Sequence, residues 1–232
     1  MDKTGTTGER RLHGRKKGHR LRPYRQQLIA ERLPDLRVPV NAAALAAPRR
    51  LFPHQPEEVW LEIGFGAGEH LAAQAREHPD VGFIGCEPFV NGVASLLALI
   101  DRHKLTNIRI HDGDARDLLE HLGAATLGRV FVLFPDPWPK RRHRKRRLVN
   151  AELLDRLAHA MRRGAELRIA SDWPEHVRWV LAQVRRHPKF EWTAERPRDW
   201  RQRPVDWPAT RYEQKALEAG RTPAYLMFRR TA

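Results

Sequence analysis

The sequence predicts an α/β protein built on a mostly parallel, seven-stranded sheet with helices on both faces. Three observations carry that expectation. From about residue 57, short apolar runs alternate with helix-patterned stretches; the first run ends in a glycine-rich turn; and two further apolar runs follow the last alternating pair. Strands that alternate with helices imply parallel pairing through right-handed crossovers, which put helices on both sides of the sheet.

VWLEIGF, from Val59, reads as the first strand and EHLAAQAREHP as its helix. GFIGCEP and NGVASLLALIDRHK form the second pair, IRIHDGDA and RDLLEHLG the third. RVFVLFPDP is the fourth strand. Its helix is read from Leu154, Leu157, Ala158 and Met161 at i, i+3, i+4, i+7, with Gly164 at the helix stop. AELRIASD and EHVRWVLAQVRRH make the fifth pair, and the late strands fall around FEWTA and AYLMFRR. Between these two lies an irregular segment where Trp200 and Trp207 stand among Arg198, Arg201 and Arg203, suited to covering a ligand crevice at the carboxyl ends of the strands or to holding a polyanion. Residues 1–22 carry eight Lys/Arg, four glycines and little apolar surface, so a disordered basic tail is expected there and a single domain over 23–232.

Within the 232 residues, 43 Lys+Arg against 28 Asp+Glu give a net charge of +15, which draws the chain to polyanions. The longest apolar stretch, VASLLALI, is far short of the roughly 20 residues of a membrane span. The N-terminus lacks the apolar core of a secretory signal, so a cytoplasmic protein with no membrane partner is expected. A single cysteine, Cys86, excludes an internal disulfide and a multi-cysteine metal site. The twelve histidines hold no H-E-x-x-H pattern, and no metal is expected.

The first strand ends in Glu62-Ile63-Gly64-Phe65-Gly66-Ala67-Gly68. Glycines at Gly64, Gly66 and Gly68 let the backbone turn sharply and approach a ligand. The spacing is G-x-G-x-G, with Glu69 where a dinucleotide fingerprint needs its third glycine, which counts against an oxidoreductase. Flanking acids Glu62 and Glu69 suit a ligand with a cationic part better than a pyrophosphate. Glu87 ends the second strand, 23 residues after Gly64, where a carboxylate accepts hydrogen bonds from ribose hydroxyls. Asp114-Ala115 ends the third, where an acid accepts from an exocyclic amine such as adenine's; Asp114 also fits a helix cap. Ribose, adenine and a positive tail together describe S-adenosyl-L-methionine.

The fourth strand runs into Pro135-Asp136-Pro137-Trp138-Pro139-Lys140. The prolines stiffen the loop and hold Asp136 in place. Trp138 offers a flat surface to a base, or covers the core edge. From 140 to 147, seven of eight residues are Lys or Arg, a density that points to phosphate binding.

E-I-G-F-G-x-G, then F-P-D-P-W-P-K-x-R-H-x-K-R-R, then a late T-R-Y-E together resemble the bacterial tRNA (guanine(46)-N7)-methyltransferases, from about residue 57 to the end. The resemblance implies a class I, Rossmann-like methyltransferase fold, S-adenosylmethionine as donor, and guanine N7 in the tRNA variable loop as acceptor. It further implies Glu62, Glu87, Asp114 and Asp136 at the cofactor, with Asp136 also catalytic. Lys140, Asp172, Thr210 and Glu213 would contact the substrate, and Arg142, His143, Arg144, Lys145, Arg146 and Arg147 the RNA. Ala67, His70 and Pro88 depart from the family pattern. Three of the substrate-contacting residues have a second reading: Asp172 precedes Pro174-Glu175 as a helix N-cap would, and Thr210-x-x-Glu213 is a capping box. A monomer is expected, with a homodimer as the alternative. A methyltransferase-fold RNA-binding protein and a methyltransferase of another nucleic-acid acceptor are the competing functions.

Overall fold

The computed structural model describes residues 18–231. Three helices come first: α1 (Pro23–Glu31), α2 (Leu33–Leu36) and α3 (Ala42–Leu45). The alternating part is β1 (Glu58–Ile63), α4 (Glu69–Glu77), β2 (Val81–Cys86), α5 (Val90–His103), β3 (Ile108–His111) and α6 (Ala115–His121). It continues with β4 (Leu127–Leu133), α7 (Ala151–Ala160), β5 (Met161–Ser171) and α8 (Pro174–Arg186). The chain closes with β6 (Phe190–Trp192), α9 (Arg198–Arg201), α10 (Arg211–Glu218) and β7 (Ala224–Arg230).

The seven strands form one sheet in the order β3-β2-β1-β4-β5-β7-β6, parallel except for β7, which runs antiparallel to both β5 and β6. Successive strand residues face opposite sides. On β1 and β4, Val59, Leu61, Ile63, Val130 and Val132 pack with Leu118 of α6, Leu153 and Leu157 of α7 and Val180 of α8. Trp60, Phe131 and Leu133 face the other way, into Leu71 of α4, Leu96 and Leu97 of α5 and Leu28 of α1. Both faces are thus covered, as the alternating pattern requires.

The segment before β1 is also organised. Arg37 bridges to Ile110 on β3, Val38 N–H donates to the Ile110 carbonyl at 2.9 Å, and Arg37 pairs with Asp112 at 2.7 Å. This segment covers the sheet edge that β3 would otherwise expose. The expected basic tail lies mostly outside the described residues. Its last part is held: Gly18 N–H donates to Asn91 Oδ1 and Asn91 Nδ2 to the His19 carbonyl, both at 2.8 Å.

One boundary differs from the sequence reading. α7 stops at Ala160, and Met161 opens β5 opposite Leu127. Met161 is buried against the sheet, so an apolar residue at its position satisfies helix and strand patterns alike. Gly164 is a strand residue: from Met161 to Glu166 on β5 the partner advances only from Leu127 to Arg129. The surplus residues bulge outward, with Gly164 at φ +82. No helix among the described residues is long and apolar enough to cross a membrane.

Candidate active site at the carboxyl ends of the strands

From β1 the chain moves outward to β2 and β3, then returns to β4 and β5 on the other side. The strand order therefore reverses between β1 and β4, and a crevice opens at their carboxyl ends. That reversal brings the glycine loop after β1 beside the proline loop after β4. Gly64, Gly66 and Gly68 have φ of +76, +58 and +85, a left-handed path that disfavours any side chain. At Gly66 space forbids one as well, because a Cβ would lie 2.8 Å from the Tyr212 ring.

Glu62 sits on the α4 side of β1 and is 2% exposed. His70, in the first turn of α4, places Nδ1 2.7 Å from Glu62 Oε2. An ionised carboxylate only accepts, so we assign the imidazole proton to Nδ1. His70 Nε2 is buried and has no hydrogen-bond partner among the described residues. Glu87, after β2, binds the loop itself: Oε2 accepts from Gly66 N–H at 2.8 Å and Oε1 from Phe89 N–H at 3.0 Å. Burial pushes the Glu87 carboxyl up; the two N–H groups oppose this, and the charges of Asp136 and Glu62 add to the rise.

Asp136 lies in the proline loop with its side chain reachable by solvent and no hydrogen-bond partner among the described residues. Surrounding protein nevertheless displaces enough water to raise its pKa. The loop carries left-handed backbone at Phe134 (φ +50) and Trp138 (φ +41), neither of them glycine. Trp138 is half-buried; the His143 ring meets its edge at 5.7 Å, and the Arg146 guanidinium lies 5.1 Å from its centroid. Its rings support the basic segment.

Asp114 caps α6, Oδ1 accepting from Arg116 N–H at 3.0 Å, and both its oxygens share the Arg116 guanidinium. Burial works to raise its pKa, but the Arg116 bonds prevail and leave it below the ordinary value. A ligand amine here meets a carboxylate already shared with Arg116. Ala115 is buried in the first turn of α6.

The basic run forms a short 3-10 helix over Arg141–Arg146, preceded by exposed Lys140. Arg142, Arg144 and Lys145 are exposed, while His143 and Arg146 are half-buried. Arg144 pairs with Glu175 at 2.9 Å. Arg147 departs from the expected RNA-facing role: it is 1% exposed and its donors point inward, because the turn after the 3-10 helix faces the interior.

In the C-terminal part, Asp172 pairs with Arg221 at 2.6 Å; the N-cap position of α8 belongs to Trp173, so Asp172 does not cap that helix. Thr210 and Glu213 do form a complete capping box on α10. Glu213 is buried and also accepts from Tyr225 Oη at 2.5 Å and lies 3.1 Å from Arg203 Nε. These ties set the first turn of α10 over the glycine loop, with Tyr212 against Gly66. The Tyr212 hydroxyl is raised in pKa, first by burial and then by the charge of Glu87. Trp207 is 2% exposed beside Tyr225, and Trp200 packs against the core with Arg201 over its ring. Cys86 is buried, which pushes its thiol up and keeps it unreactive. Among the described residues no cluster of three metal-ligand side chains occurs.

Sequence reasoning singled out the carboxylates but missed the roles of His70 and Tyr212. His70 was visible only as a departure from the family pattern. Tyr212 had one signal, its place inside the capping box.

Residues 56–226 match a family model described as "Putative methyltransferase". The chain is 52% identical over 227 residues to a tRNA (guanine-N(7)-)-methyltransferase of Rhodospirillum rubrum, covering 97% of this chain and 89% of that protein. A protein of the same name from Zymomonas mobilis is 48% identical over 221 residues, covering 95% and 94%. Among solved structures, an antibiotic-related methyltransferase superposes with a TM-score of 0.52 at 13% identity, covering 76% of this chain and 89% of that one. An rRNA methylase from Streptococcus thermophilus gives 0.52 at 11% identity, covering 76% and 88%. These two show the shared fold.

Proposed function

The chain belongs to the tRNA (guanine-N7)-methyltransferase family, and from that premise we propose that it transfers a methyl group from S-adenosylmethionine to N7 of guanine 46 in the variable loop of tRNA. The observation that carries the reading is the meeting of the glycine loop with Glu87 and Asp136 where the strand order reverses.

The residues suit that donor. Glu62, Glu87 and Asp136 lie close enough that the charges of the other two raise the Glu87 pKa, so a cation among them relieves their repulsion. Each Glu87 oxygen accepts one backbone N–H and has a second lone pair for a ribose hydroxyl. S-adenosylmethionine, when bound, supplies a methyl group carried on a sulfonium.

Guanine N7 bears an in-plane lone pair and no proton, so the chain needs no base to create the nucleophile. Its task is to hold the purine in line. Asp136, with its carboxylate free of protein partners among the described residues, accepts from the guanine N1–H and amino group and offsets the positive charge that spreads onto the ring. The stiff loop keeps that carboxylate in place. Exposed Arg142, Arg144 and Lys145 bind tRNA phosphates. The substrate places the work in the cytoplasm.

The test uses tRNA lacking the modification and labelled S-adenosylmethionine, with the native chain compared with Asp136→Ala. We expect label in 7-methylguanosine at position 46, reduced at least about 100-fold in the variant while tRNA still binds. Label in another nucleoside overturns the acceptor, and none at all overturns the activity.

A further inference from the structure

Arg147 is the bulkiest fully buried side chain among the described residues. Its Nε donates to the Pro137 carbonyl at 3.0 Å, and Nη2 donates to the Trp138 carbonyl at 3.3 Å and to Glu175 Oε1 at 3.1 Å. The guanidinium also lies over the Trp179 ring, 5.1 Å from its centroid. Glu175 and Trp179 are both on α8, so one side chain joins the proline loop to a helix on the far face of β5.

The grip falls where the loop needs it. Prolines at 135, 137 and 139 fix their own φ angles, which leaves Asp136 and Trp138 as the pliable residues. Trp138 holds a left-handed φ of +41, which is unfavourable for a residue with a Cβ and persists only when neighbouring contacts enforce it. Arg147 bonds the Trp138 carbonyl and the one before it. Burying a guanidinium is itself unfavourable unless its donors are matched, and here two carbonyls, a carboxylate and a ring match them. Only a planar fork bridges these partners together; a lysine ammonium has the charge without the geometry.

We propose that Arg147 is a positioning residue that locks the Pro135–Pro139 loop and so aims Asp136, taking no part in binding RNA. The inference rests on the methyl-transfer reading above. It divides the basic run in two: an outward part that meets phosphate, and a last arginine that serves the loop.

The full-length chain carrying Arg147→Lys is compared with the native chain for kcat, for tRNA affinity across a salt series, and for S-adenosylhomocysteine affinity. We expect kcat to fall about tenfold or more, since small misplacement of a reacting group has large kinetic cost, with both affinities and the salt slope unchanged. Unchanged kcat overturns the proposal, as does weaker tRNA binding with about one unit of log-log salt slope lost, the mark of a phosphate contact. If Arg147→Lys does not melt cooperatively, Glu175→Gln serves: it loosens the clamp away from the crevice, and a native kcat then overturns the proposal. Failure of the underlying reading shows separately, as a product other than 7-methylguanosine from the native chain.

Discussion

Glu62 shows how one buried side chain can set another. The carboxylate stands near the end of β1, and its immediate partner is the imidazole of His70 at 2.7 Å, with both groups almost wholly buried. Removing one member of a buried hydrogen-bonded pair leaves the other uncompensated. His70→Leu should therefore cost about 2 kcal/mol in urea melts and weaken S-adenosylhomocysteine binding severalfold by calorimetry. Adding Glu62→Gln to that variant should recover part of the stability, because an amide is cheaper to leave buried without a partner than a carboxylate, while under the proposed reading binding stays weak for want of a carboxylate facing the cofactor's positive charge. Native stability in the single variant would show that the pair contributes nothing. Asp114 illustrates the opposite case, a carboxylate spent on a local cap and on Arg116.

At the scale of elements, α8 and α10 do more than cover the sheet. α10 begins with a capping box whose glutamate is also tied to Tyr225 on β7 and to Arg203, and this fixes where Tyr212 meets the glycine loop. α8 supplies Glu175 and Trp179 to the Arg147 clamp, and its His176 is fully buried with Nδ1 3.2 Å from Ser171 Oγ on β5. Burial first, and the neighbouring Arg147 charge second, hold the His176 pKa down from 6.5 to about 4, with Asp172 opposing. The unfolded chain binds a proton below pH 6.5 and the folded chain does not until about pH 4. This part of the stability is therefore full above 6.5 and is lost as pH falls through that window, by about 2 kcal/mol between pH 7 and pH 5. Urea midpoints measured across that range should show the loss, and His176→Leu should flatten it.

For the whole molecule, the net charge of +15 and the outward face of the 3-10 helix make tRNA affinity an electrolyte-sensitive quantity. Replacing Arg142 or Lys145 with alanine should lower the slope of log affinity against log salt by about one unit each, measured by filter binding or fluorescence titration. Arg147 should not share that behaviour, because its guanidinium is withdrawn from solvent. Topology supplies the other whole-molecule fact. The reversal of strand order between β1 and β4 places two loops about seventy residues apart in sequence at one crevice.

The sequence by itself determined the βα alternation, the strands at or just after whose carboxyl ends Glu62, Glu87, Asp114 and Asp136 fall, and the capping box at Thr210 and Glu213, because each rests on short-range periodicity or spacing. It also carried the family, through the P-D-P-W-P-K signature and the basic run after it. Only the tertiary structure decided which way side chains turn at the ends of those patterns. Met161 reads equally as helix or strand until β4 pairs with it. Arg147 looks like its neighbours until α8 offers Glu175 and Trp179 to it. His70 and Tyr212 acquire roles only where α4 meets β1 and α10 meets the glycine loop. The physical reason is common to all four: burial and hydrogen-bond partnership are set by residues remote in sequence, and a local pattern holds no record of them.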